Sequence, residues 1–325
     1  MAFYMNVKLI DQGVIASVLK MPRVIELMGD AYAELSAGTV DSPLRTALVN
    51  EDGTVLYKPA YSGASGIFCV KVVSVFPGNV EKGLPVTPGI IVVNRAETGM
   101  PVAILEAGYL TSLRTGAATG LATELFAKKE AKVAALFGTG GQSRHQLEAM
   151  LCARAFETVY VFSRNPENAE RFCRENVDIA GGCELVANPD RKVLKRCDVI
   201  TAATTSPEAV FEWDEIGDDV HVNAIGSLGP KRTEISAETL LNSTVIVDQR
   251  AACLKEAGEI CLMRDAGLVG DDYNPPEIGE LLNAPELQQK PTVFKSVGNA
   301  VQDLVCSAEV IKATEAHNIG VTAEL

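Results

Sequence analysis

Two groups of residues in this sequence have the types and spacing to do chemistry. The first is Leu136-Phe137-Gly138-Thr139-Gly140-Gly141-Gln142-Ser143, where an apolar run meets glycines. Gly138 permits a tight turn, Gly140 lets the backbone approach a pyrophosphate, and the small Ser143 permits close helix–strand packing. A helix opening there turns free N–H groups and a positive dipole end toward phosphates. Further on, Phe162-Ser163-Arg164-Asn165 occupies the place where an acid would accept from a ribose 2′-OH. Ser163 can donate to a 2′-phosphate, and Arg164 can pair with it or stack on adenine. The expected cofactor is therefore NADP(H) in preference, with NAD(H) possible.

The second group is cationic. Arg45 follows Ser42-Pro43-Leu44, Lys71 interrupts the apolar run Phe68–Val73, and Arg114 stands in Ser112-Leu113-Arg114-Thr115-Gly116-Ala117-Ala118. A lysine in an apolar strand is costly if it is buried without a partner. Either Lys71 faces solvent by alternation, or it points into an anion site. Arg114 reads equally as the solvent-facing start of a helix.

The elements that must position these residues fall into two patterns. Residues 7–40 read as a short strand and then one or two helices. From Ser42 to Val93 come short β-rich runs broken at Asp52-Gly53, Ser62-Gly63, Pro77-Gly78 and Pro88-Gly89. Gly89–Asn94 reads as a buried strand, Pro101–Glu106 as another, and Arg114–Phe126 as a helix. After Lys132, apolar strands at 133–137, 159–162, 198–203, 220–225 and 245–248 alternate with helical segments, which predicts a parallel sheet. Residues 299–316 read as one amphipathic helix. The fold class expected is α/β: a Rossmann dinucleotide-binding domain at 119–299, and an α+β substrate-binding and dimerisation domain at 1–118 with 300–325.

The 325 residues suit two cores better than one. A net charge of −13 argues against nucleic acid as a partner, though not against a small anion. No apolar run reaches the ~18 residues of a membrane span, and no signal peptide is visible at the N-terminus. The cysteines form no C-x-x-C pair and the histidines are far apart, so no metal site is expected. Scattered cysteines fit a reducing cytoplasm.

The segments "KVVSVFPGNVEKGLPVTPGIIVVNRAETGMPVAILEAGYLTSLRTGAATGLA", "LFGTGGQS", "HVNAIGS" and "FKSVGNAVQDL" carry a resemblance to the ornithine cyclodeaminase/mu-crystallin superfamily, which includes alanine dehydrogenases and ketimine reductases. The resemblance spans nearly the whole chain. It implies that Arg45, Lys71 and Arg114 hold a substrate α-carboxylate, and that Lys71 also gives a proton to an imine or carbonyl. It places Thr115, Gly116 and Ala117 where substrate meets cofactor, and Asn223, Val297 and Gly298 near the nicotinamide. Thr139, Gly141, Gln142, Asn165, Thr204, Ile225 and Gly226 complete the expected cofactor contacts. Homodimers paired through the substrate domain are implied as well.

Two departures from that family shape the functional expectation. Cyclodeaminases and archaeal alanine dehydrogenases carry a catalytic aspartate in the segment after "NAIG"; the matching residue here is Leu228. Cyclodeaminases also place a glutamate near Leu56 for the substrate's side-chain amine, whereas this chain has Val55-Leu56-Tyr57-Lys58-Pro59. Either Lys58 points outward, or it adds a positive charge to the pocket that favours an acidic or neutral substrate side chain over a basic one. The expectation is reduction of an α-imino acid, cyclic or linear, to the L-amino acid. The alternatives are a cyclodeaminase or amino-acid dehydrogenase in which Glu234 or Asp219 supplies the acid, and an NADPH-bound binding protein with little turnover. Retention of all three cations favours an enzyme over a binder. His145, His221 and Trp213 read chiefly as packing residues.

Overall fold

The computed structural model describes residues 5–227, 229–283 and 291–324. Leu228 lies outside them. Two compact units are present, Met1–Arg114 with Asn299–Leu325, and Thr115–Gly298.

The first unit contains β1 (Asn6–Ile10), α1 (Gln12–Val18), α2 (Met21–Ser36), β2 (Val40–Asp41), β3 (Thr46–Val49), β4 (Thr54–Ser62), β5 (Ile67–Val75), β6 (Gly89–Arg95) and β7 (Pro101–Glu106). Helix α3 (Ala107–Phe126) follows and runs through the division at Arg114. The hydrogen-bonded path through this sheet is β15-β1-β7-β6-β5-β4-β2, with β3 also on β4 and β15 (Val321–Glu324) supplied by the C-terminus. The pairs are antiparallel except β1 with β7.

One face of this sheet is covered and the other is not. The final helix of the unit, Ala300–His317, packs on α2, β4 and β5. Beneath it Lys58, Ala60 and Ser62 of β4 and Ile67, Cys69 and Lys71 of β5 are buried, while their odd-face neighbours Pro59 and Phe68 are exposed. Period-two burial is what a sheet covered on one side requires. It also corrects the reading of Gly89–Asn94 as a buried strand: Ile91 and Val93 are buried, but Ile90 is 44% exposed.

The second unit holds β8 (Val133–Phe137), α4 (Ser143–Ala153), β9 (Thr158–Phe162), α5 (Pro166–Glu175), α6 (Val177–Ala180), β10 (Glu184–Ala187), β11 (Val199–Ala202), β12 (His221–Ala224), α7 (Ala237–Leu241), β13 (Thr244–Val247), α8 (Arg250–Glu256), α9 (Gly258–Asp265) and β14 (Thr292–Lys295). The helix at Ala300–His317 is thus α10. The seven strands run in the order β10-β9-β8-β11-β12-β14-β13, every pair parallel. This is a doubly wound Rossmann-type sheet, and its order reverses between β8 and β11, where such folds bind ligands. Its inner strands are buried on both sides, so β11 and β12 read as short apolar runs with no alternation. Strands β10, β14 and β15 escape a sequence reading; β10 (ELVA) and β15 (VTAE) are edge strands in which acidic and small residues leave no apolar run.

Two helix expectations need correction. α3 opens at Ala107, not Arg114, because the Glu106 carboxylate accepts from the N–H groups of Gly108 and Tyr109 and caps the first turn. Arg114 is therefore a mid-helix residue. α10 is not simply amphipathic either: Ala300 through Ser307 are all buried.

Candidate active site

The glycine loop follows β8 as its sequence requires. Gly138 has φ +106°, a conformation that favours glycine, and a Cβ there would lie 2.4 Å from the Ala203 carbonyl oxygen. At Gly140 and Gly141 an added Cβ meets nothing within 4 Å, so the loop is open on that side. Ser143 begins α4 and is fully buried, consistent with close packing of helix on strand. Gln142 Oε1 and Ser143 Oγ are buried without a hydrogen-bond partner among the described residues. An open glycine turn, a helix N-terminus and the Ser143 hydroxyl are donors a dinucleotide phosphate would use, and these residues fit the group.

At the end of β9, Asn188 grips the selectivity segment. Its carboxamide accepts from Ser163 N at 2.8 Å and donates to Ser163 O at 3.1 Å. The Ser163 hydroxyl meets Thr139 Oγ1 at 3.4 Å, and Arg164 is exposed. Asn165 caps α5 by accepting from Glu167 N, so its side chain has a structural partner already.

Other expected cofactor residues turn out to hold the unit together. Asn223 donates to Thr123 and Thr201 and lies 3.1 Å from His221 Nε2, which ties β12 to α3 and β11. Its carboxamide is thus committed inside the protein instead of facing a ligand. His221 in turn meets Thr292 of β14. Gly116 is small because α4 crosses it: a Cβ there would lie 2.5 Å from the His145 carbonyl oxygen. Thr115 beside it is buried, as are Ile225 and Val297. Gly298 has φ +70° and donates its N–H to Asp248 Oδ2 at 2.7 Å.

Thr204 and Gly226 are bound by Glu234. One carboxylate oxygen accepts from Thr204 N and Oγ1, both at 3.0 Å; the other accepts from Gly226 N and Ser227 N. A fully buried Lys295–Glu259 pair at 3.0 Å lies alongside, with Glu259 also accepting from Glu234 N. Glu234 therefore staples two loops at the carboxyl ends of β11 and β12. Asp219 is exposed and precedes β12, at the opposite end of the strand, so it is no substitute for the missing aspartate.

Burial, opposed by Lys295, pushes the Glu234 pKa up to about 7. The folded state then keeps a proton that the unfolded chain, with its ordinary value of 4.5, has released. Stability falls as pH rises between those two values and levels off above. In Glu234→Gln that portion of the slope is expected to vanish. Urea midpoints measured from pH 4 to 8 check it, and an unchanged slope refutes the assignment.

Two cations of the first unit, Lys71 and Arg114, converge on one carboxylate that the sequence reading missed. Lys71, only 1% exposed, lies 2.8 Å from Asp303 and 3.1 Å from Thr111 Oγ1. Arg114 Nε reaches the same Asp303 at 3.1 Å, and its Nη1 donates to Gln302 at 2.8 Å. Burial and the Arg114 charge lower the Lys71 pKa to about 8 against the pull of Asp303. Register adds Lys58, which sits directly opposite Lys71 in the β4–β5 pair. Extending the β3–β4 register by one residue from Thr46↔Tyr57 puts Arg45 opposite Lys58. The solvent-facing alternatives for Lys71 and Arg114 are excluded by their burial.

The first unit thus holds a buried lysine and arginine on one carboxylate, and the second a glycine turn between a strand and a helix. The family model for the ornithine cyclodeaminase/mu-crystallin family matches residues 7–317. The chain belongs to this family. It is 31% identical over 311 residues to the Delta(1)-pyrroline-2-carboxylate reductase of Bacillus cereus, covering 94% of this chain and 95% of that one. Its fold is similar to Thermococcus litoralis Delta(1)-pyrroline-2-carboxylate reductase in complex with NADH and L-proline, with TM-score 0.91, 32% identity, and coverage of 97% and 99%. An archaeal alanine dehydrogenase dimer with bound NAD gives TM-score 0.91, 29% identity, and coverage of 98% and 99%.

Proposed function

We propose that this protein reduces an α-imino acid to the L-amino acid, with NADPH preferred over NADH. It is an NAD(P)-dependent oxidoreductase acting on imino or amino acids. The observation that carries the finer reading is the buried set of Lys71, Arg114 and Asp303 on the covered face of the first sheet.

Arg114, with Arg45, would hold the α-carboxylate, since two N–H groups of a guanidinium match two carboxylate oxygens. When bound, the nicotinamide cofactor supplies a hydride to the imine carbon. Lys71 gives a proton to the imine nitrogen, and its lowered pKa suits proton transfer near neutrality. Asp303 keeps the ammonium oriented. With Leu228 where cyclodeaminases have an acid, water activation lacks its carboxylate, which weighs against cyclodeamination. Gly138, Gly140 and the start of α4 would hold the pyrophosphate.

The NADPH preference rests on Ser163 and Arg164 and on the lack of an acid at the end of β9; the Thermococcus and archaeal relatives carry NADH and NAD. Arg164→Glu is expected to lower the ratio of kcat/KM for NADPH over NADH about tenfold, the size of a lost charge-assisted hydrogen bond. An unchanged ratio removes Arg164 from cofactor choice. The uncovered sheet face, with Tyr61 stacked on Phe68 at 4.4 Å and Phe68 43% exposed, supports a homodimer paired there.

Following NAD(P)H absorbance with pyrroline-2-carboxylate, piperideine-2-carboxylate, and 2-oxo acids plus ammonia tests the activity. Oxidation with any of them supports it. Ammonia release from ornithine with no net cofactor turnover would replace it with cyclodeamination.

A further inference from the structure

Asn299 is the N-cap of α10, a helix of 18 residues, and is only 5% exposed. Its carboxamide Nδ2 has no hydrogen-bond partner among the described residues. A buried donor left unpaired is costly, and native structures rarely keep one without a use. Its neighbours fix where this donor stands. Gln302 Oε1 accepts from Asn299 N at 3.0 Å and from Arg114 Nη1 at 2.8 Å, so one oxygen ties the start of α10 to the guanidinium. Gln302 is itself locked, because its Nε2 donates to the hydroxyl of the buried Tyr32 at 2.8 Å. One turn further along α10, Asp303 takes Lys71 and Arg114 Nε. All these groups belong to the first unit.

We propose that Asn299 is a substrate-binding residue whose carboxamide donates to the same α-carboxylate that Arg114 holds. This rests on the reading above, in which Arg114 meets that carboxylate. The first N–H groups of a helix have no acceptor within the helix, and they carry its positive end, which favours an anion. Arg114 adds a full positive charge beside that end. A ligand acceptor that meets Nδ2 there is therefore anionic. An ionised carboxylate offers about four lone-pair sites on two oxygens, so a guanidinium does not exhaust it. A neutral amide supplies the additional donor without placing another cation in the interior beside Lys71 and Arg114, where an unpaired charge is costly. Asn299 then sets the site's preference for a free α-carboxylate, and α10 both orients Lys71 through Asp303 and binds the substrate at its first residue.

The test is calorimetric titration of pyrrole-2-carboxylate, a planar and unreactive α-carboxylate, into the protein saturated with NADPH and again with NADH. Asn299→Ser and Asn299→Asp are the variants, since both residues cap helices well and keep α10 folded. Asn299→Ser removes the amide donor and should raise Kd about thirtyfold, as for a lost hydrogen bond to a charged group. Asn299→Asp keeps the size of the side chain but accepts where the amide donates, so it should raise Kd about a hundredfold or more. KM for pyrroline-2-carboxylate should rise in step. Wild-type binding with both variants within twofold of it overturns the role of Asn299 and leaves imine reduction intact. A lowered thermal midpoint with unchanged affinity also overturns it, and assigns the residue to helix capping alone. No binding by the wild-type protein overturns the α-carboxylate reading and this proposal together.

Discussion

Replacing Lys71 with Ala is expected to lower kcat for imine reduction about a thousandfold, within the range for loss of a general acid. Binding of NADPH, read by its fluorescence, should be unchanged, because the phosphate loop belongs to the other unit. Lys71→Arg keeps a cation beside Asp303 but holds its proton at every working pH, so it should restore stability and not kcat. The wild-type rate should fall as pH rises through about 8, since the ammonium that gives the proton is lost there. Unchanged turnover in Lys71→Ala would remove Lys71 from proton delivery. A rate restored by Lys71→Arg would assign it to charge alone.

Asp303→Asn is expected to destabilise the protein by about 3 kcal/mol, the low end for removing one member of a buried ion pair. The carboxylate is fully buried, and the charges of Lys71, Arg114 and Lys58 hold its pKa below the ordinary range against the cost of burial. Without it those cations repel one another with no water to screen them. A drop in thermal midpoint checks this. The functional readout is different: with its counter-charge gone, Lys71 titrates lower, so the alkaline limb of kcat should move below pH 8. Loss of stability with an unmoved limb would make Asp303 a structural residue only.

Sequence alone carried much of the cofactor half. A glycine turn between an apolar strand and a helix is a local pattern, because backbone approach to a phosphate needs residues adjacent in the chain. Gly138 has the positive φ that such a turn calls for. Legibility failed where function depends on distant partners. Asp303 lay inside a recognised segment, "FKSVGNAVQDL", yet nothing in its neighbourhood marks it, since Lys71 and Arg114 are far away in the chain. Glu234 was considered as a stand-in acid; its buried grip on Thr204, Gly226 and Ser227 is visible only once β11 and β12 lie side by side. Gly116 and Asn223 also have structural partners that the sequence did not show, His145 of α4 and Thr123 of α3.

By itself the sequence determined the α/β class with two units, the glycine turn between strand and helix, the lack of an acid beside Arg164, and the presence of Arg45, Lys71 and Arg114. Those are matters of composition, periodicity and short-range spacing, which a chain carries wherever it folds. Tertiary structure decided that Lys71 and Arg114 share one buried carboxylate, and that Lys58 lies opposite Lys71. Strand register set that pair, and α10 brought Asp303 onto Lys71. Register and helix docking follow from long-range burial, so this grouping of charges exists only in the folded chain.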